Sequence, residues 1–172
     1  AQMLAAHVRS HVKEMPPLEG FLTIPMAVDV RFHKWDEILK MPKPSPEMQV
    51  ESIFWHFAHG MALAGKGKPD EAEADYQVVA DAEKNTPEDA IFAMPVNNKT
   101  KDSLKIARDV LGAKIALARK DNAAAMAQLQ EAVAVQDTLK YDEPEDWYFP
   151  VRESLSAVML MNGDAASAEK IF

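Results

Sequence analysis

The stretch IFWHFAHGMALAGKGKPDEAEADYQVVADA, residues 53–82, decides the fold. From Ile53 to Ala64 the apolar residues Ile53, Phe54, Phe57, Ala58, Met61 and Ala64 recur every three or four positions, the spacing of one buried stripe on a helix. Gly65, Gly67 and Pro69 interrupt that stripe. Gly67 supplies the positive φ that ends a helix, and Pro69 suits the first turn of the next, where a missing N–H costs nothing. Asp70, Glu71 and Glu73 then put negative charge at the positive end of a second helix, whose inward side is Ala72, Tyr76, Val79 and Ala80. The stretch predicts two helices packed antiparallel.

Upstream, Met3, Leu4, His7, Val8, His11 and Val12 share one side of a helix over residues 1–14, stopped by Met15-Pro16-Pro17. Its apolar side is expected to cover Phe21, Leu22, Met26 and Val30 of the next helix. Pro25 either kinks that helix or follows a Thr23 cap on a shorter one beginning at Ile24. A short helix from Trp35 to Met41 ends at the proline run 42–46.

Downstream, the segment Thr86 to Lys99 holds Pro87, Pro95, Asn97 and Asn98 and reads as an inserted loop, with Ile91, Phe92 and Met94 apolar enough to pack down. The stripe then returns in Leu104, Ala107, Val110, Leu111, Ile115 and Leu117, on a helix that is basic outside: Lys99, Lys101, Lys105, Arg108, Lys114, Arg119 and Lys120 against Asp102 and Asp109. Asp121 or Asn122 caps an alanine-rich helix. A second, acidic insertion over 139–146 leads into Trp147-Tyr148-Phe149, three consecutive aromatics that cannot all point inward. A helix over 149–161 and another from Asp164 close the chain, with Phe172 expected at a buried position.

The central stretch resembles the tetratricopeptide repeat, whose loose pattern W-x2-L-G-x2-Y followed by A-x3-F recurs about every 34 residues. Gly60, Leu63, Ala72 and Tyr76 take pattern places, while His56 and His59 stand where the pattern has Trp and Leu. Met26 falls 34 residues before Gly60; Ala113 and Ser156 are the equivalents 53 and 43 residues further along, so two connections carry insertions. The resemblance is to a bacterial protein of this family. It implies an all-α, right-handed superhelical stack of antiparallel helix pairs, truncated at both ends, forming a single domain over 1–172. Within it, 1–15 is the second helix of a preceding repeat, 18–41, 46–85 and 99–138 are repeats, and 147–172 is an incomplete one with more expected to follow. The resemblance implies a scaffold, not a reaction.

Composition bounds the function from another side. Nineteen basic against 27 acidic residues give a net charge of −8, which repels a nucleic-acid backbone. The absence of cysteine excludes disulfides, thiolate metal sites and a cysteine nucleophile, without fixing a cytoplasmic or periplasmic location. No apolar run approaches the ~20 residues of a membrane span. The start carries no cleavable signal pattern and reads as that of a cut piece or of a mature fragment whose targeting segment is missing from view.

Few residues suggest chemistry. His7 and His11, four apart, and His56 and His59, three apart, could each present two nitrogens to one ion, yet no carboxylate completes either pair in a recognised motif. Histidines at packing positions are the plainer reading. Glu143, Glu145 and Asp146 read as a solvated connector rather than a tuned acid–base pair. The expectation is no enzyme, no cofactor and no metal. The family's inner, ligand-facing positions map onto Thr23, Ala27, Phe57, Met61, Val110, Lys114, Glu153 and Ala157. Phe57, Met61, Val110, Lys114, Glu153 and Ala157 are thus the candidate partner-binding residues. They make a mainly apolar groove for a protein or peptide segment, apolar or amphipathic, unless the insertions at 86–98 and 139–148 fold back and fill it. Self-association is the alternative, and a metal-binding or metal-dependent enzyme domain built on the histidines is a further one.

Overall fold

The computed structural model describes residues 2–90, 98–141, 143 and 145–172. Turn residues set the helix boundaries. Helix α1 (Gln2–Arg9) is followed by a 3-10 helix (Pro16–Thr23) that runs directly into α2 (Ile24–Arg31). The short α3 (Trp35–Ile38) precedes the two long central helices, α4 (Gln49–Gly65) and α5 (Pro69–Asn85). Then come α6 (Thr100–Ala118), α7 (Asn122–Gln136), α8 (Val151–Met161) and α9 (Ala165–Ile171). The fold is all-α, and each helix from α4 to α8 packs antiparallel on its successor, while α4 also lies against α2 and α6.

The turn chemistry follows the sequence. Gly67 and Gly163 take φ of 76° and 83°, the left-handed region their helix ends require. Asp121 accepts the Ala124 N–H at 2.9 Å and Asp164 the Ser167 N–H at 3.1 Å, which caps α7 and α9. Helix α4 has no capping side chain of its own. Glu19, from the 3-10 helix, reaches across instead and accepts the Glu51 N–H at 3.0 Å. Burial raises the Glu19 carboxyl pKa more than these backbone donors lower it.

The core is continuous from Met26 and Val30 through Phe57, Leu111 and Leu129 to Val151 and Ala168. A second, smaller cluster joins Ala5, Val8 and Val12 to Leu22. Several expectations are corrected here. Helix α1 ends at Arg9, not Glu14, and Met3, 90% exposed, faces water together with Leu4, because Ala5, Val8 and Val12 form the inward side. That side covers Leu22 but not Met26 or Val30, which belong to the main core. Helix α2 does begin at Ile24, but Thr23 is no cap: its hydroxyl donates back to the Gly20 carbonyl at 2.8 Å. Phe172 is 80% exposed, not buried; Ala168 is the residue that α9 turns inward. Asp109, expected outside α6, is buried and takes both Lys105 and Arg108. Ile91, Phe92 and Met94 lie outside the described residues.

Candidate functional site

Where α2, α4 and α6 lie side by side they leave a cavity of about 480 Å³. Phe21 and Ala27 line one wall, Ile53 and Phe54 a second, Leu104 and Ala107 a third. Ala27 and Ala107 are buried and stop at a methyl group, so the space between the larger side chains stays open. Its size falls in the range of roughly 300–1,000 Å³ usual for ligand pockets.

The fourth wall is the chain's own aromatic run. Trp147 meets the fully buried Phe57 edge to face, with centroids 5.5 Å apart, and Tyr148 stacks obliquely on Phe149 at 4.7 Å. Gln136 holds this run in place: its amide donates to the Phe149 carbonyl at 3.1 Å and accepts the Val151 N–H at 2.8 Å, which also caps α8. Asn98 anchors the preceding insertion through Lys140, accepting its N–H at 2.7 Å and donating to its carbonyl at 3.0 Å. Trp147 and Tyr148, just before α8, therefore pack on Phe57 and leave the cavity beside it.

Polar groups around the cavity are of two kinds. Arg31 is committed: it pairs with Glu153 at 2.7 Å and lies 5.3 Å over the Phe149 ring, tying α2 to α8. Ser103 Oγ, Trp147 Nε1 and the Tyr148 hydroxyl are buried with no hydrogen-bond partner among the described residues, and all three residues line the cavity. Burial pushes the Tyr148 hydroxyl pKa far up, so it stays protonated.

The candidate residues are thus dispersed. Thr23, Ala27 and Phe57 meet at the cavity, with Phe57 as its floor. Met61 and Val110 are buried in the main core. Lys114 is not on the basic outer face but half-buried, its Nζ 5.3 Å over the Trp35 ring. Glu153 is taken by Arg31, and Ala157 is exposed. Ala107, Phe54 and Tyr148, which shape the cavity, were legible in the sequence as stripe and aromatic-run residues. Their convergence was not.

The histidines have a carboxylate that motif reasoning missed. Both oxygens of the buried Asp75 are occupied, one by His56 Nδ1 at 2.6 Å and one by His59 Nδ1 at 2.7 Å. Trp55 stacks on His59 at 4.5 Å and meets His56 edge-on. His7 and His11 are exposed. Among the described residues no group of three or more His, Asp or Glu is placed to hold a metal ion, and no helix is long and apolar enough to cross a membrane.

The geometry defines an all-α chain with an apolar cavity on one side of its packed helices. No family model, no curated protein and no solved structure matches the chain.

Proposed function

We propose that the chain is a non-enzymatic binding module of tetratricopeptide-repeat type, a right-handed stack of helix pairs whose inner face receives an apolar or amphipathic segment of a partner protein. Two features support the repeat frame. Met26, Gly60, Ala113 and Ser156, the equivalent positions in sequence, are all buried, and α4 touches both its successor and its next-but-one helix. The observation that carries the function is the cavity, a recess walled mainly by apolar side chains from several elements.

The test is selection from a displayed random-peptide library on the wild type, with depletion on Ala107→Trp, which fills the recess. Thermal melting and circular dichroism check that this variant folds. The expected peptides carry clustered apolar residues and lose binding on the variant. Peptides that bind both proteins equally, or no enrichment at all, contradict the reading.

A second reading is favoured by one observation: Leu160 and Met161 on α8 and Phe172 just after α9 are each exposed, apolar surface suited to self-association. Sedimentation velocity over a range of concentrations decides it, since a monomer throughout removes this reading.

A further inference from the structure

Four basic side chains among the described residues are half-buried rather than exposed: Lys101, Lys105, Arg108 and Lys114. Lys101 pairs with Glu88, Lys105 with Asp109 and Glu131, and Arg108 with Glu83 and Asp109. Lys114 alone of these four has no carboxylate within ion-pair distance among the described residues. Its Nζ lies instead over the Trp35 indole, 5.3 Å from the ring centroid.

A second hydrogen-bonding group shares that indole. The His33 imidazole stacks on Trp35 with centroids 4.9 Å apart and planes 21° from parallel. His33 takes a left-handed backbone, φ 54°, in the turn that ends α2, as Lys120 does after α6, and this turn sets the imidazole beside Trp35. Trp35 itself is wedged: a Cβ at Gly65 would stand 2.6 Å from its ring, so the glycine is what lets the indole lie against the end of α4. Burial lowers the Lys114 pKa. Burial also lowers that of His33, and the positive charges of Lys114 and Arg31 lower it further, so the imidazole is a neutral N–H donor at pH 7.

We propose that Lys114 and His33, set on the Trp35 indole, form a binding site for an oxyanion, the carboxylate or phosphate group of a ligand held on the inner face of the helices. A cation partly withdrawn from water without a counter-charge is unfavourable, and an arriving anion removes that cost through charge-assisted hydrogen bonds from Lys114 Nζ and the imidazole N–H. The chain's net charge of −8 does not forbid this, because exposed charges are screened over about 8 Å at physiological salt and the local sign governs. Arg31, which lines the cavity, adjoins the site, so a ligand with an apolar body and an anionic group would span both. The site does not depend on what the cavity takes.

The test uses the full chain labelled with ¹³C-lysine and ¹³C-histidine, titrated at neutral pH with sodium acetate and, separately, with sodium phosphate. Sodium chloride at matched ionic strength is the control. The Lys114 ε-methylene and the His33 ring signals are expected to shift saturably, with a midpoint roughly ten-fold below that of any exposed lysine such as Lys120. The His33 response should vanish in Lys114→Met, and the Lys114 response should fall several-fold in His33→Gln, a substitution at an exposed position. Saturation by acetate alone assigns a carboxylate, by phosphate alone a phosphate, and by both a general oxyanion site. Shifts that only follow the chloride control, or that match those of exposed lysines, overturn the proposal.

Discussion

Gly60 of α4 and Asp75 of α5 stand so close that a Cβ built at Gly60 would lie 3.0 Å from the Cβ of Asp75. Leu111 of α6 closes the other side at 3.0 Å, so three helices converge on one missing methyl group. Neither neighbour yields easily: Leu111 is fully buried and Asp75 is fixed by two imidazoles. Gly60→Ala gains roughly 0.5–1 kcal/mol of helix preference but overpacks the junction, which costs about 1–3 kcal/mol. The expected balance is a loss, and Gly60→Leu loses more than ~3 kcal/mol by the same mechanism. Urea denaturation measures both; an unchanged midpoint for Gly60→Leu would refute the close approach.

Asp75→Asn tests the histidine bridge. A carboxylate accepts from both Nδ1–H groups, whereas an amide offers one acceptor and one NH2, leaving a buried donor facing a donor. A loss of about 1–3 kcal/mol is expected, with the same urea series as the readout. Long-range ¹H–¹⁵N spectra should show His56 and His59 protonated at Nδ1 in the wild type, and at least one ring switching tautomer in the variant.

Lys114→Met keeps the apolar stem and deletes the charge. Because the folded-state pKa of Lys114 lies below its ordinary 10.5, folding opposes the ammonium form. That penalty is full below the folded pKa and disappears as pH rises through 10.5. The variant should therefore be more stable than the wild type at pH 7, and the gap should close in alkaline solution. Melting temperatures measured from neutral to alkaline pH check the sign, and a gap that widens with pH would contradict it.

Gln136→Ala removes both hydrogen bonds that bracket Phe149 and Val151, one donated and one accepted. At about 1 kcal/mol for each lost bond, the effect on global stability is modest. Locally it is larger: the amides around 147–151 should exchange faster with deuterium while those of α5 stay unchanged. Uniform acceleration across the chain would mean that the aromatic run is not held by this residue.

The fold was legible because its signals are local. Helical spacing in 53–64, the Gly67 and Pro69 punctuation and the Asp121 and Asp164 caps each act within a few residues. Boundaries failed where tertiary contacts took over, as at α1, whose inward side is chosen by Leu22 rather than by its own most apolar residues. The cavity was half legible. Thr23, Ala27 and Phe57 were expected to face a ligand and do line it, but whether Trp147 and Tyr148 cover that surface depends on Gln136, an unremarkable polar residue in a helix. Lys114 was misplaced because a lysine among six other basic residues looks like solvent-facing charge, and only the packing of Trp35 against Gly65 and α6 draws it inward.

The central claim is that the recess between α2, α4 and α6 is where a partner segment binds. Methyl-resolved NMR of the wild type with a library-selected peptide tests it most directly. The account predicts that the methyls of Ile24, Ile53, Leu104 and Ala107 shift and show intermolecular contacts to the peptide, while those of Val78 on the opposite side of α5 stay in place. Contacts that map to Val78, or to Leu160 and Met161, with the recess methyls unmoved, would contradict it.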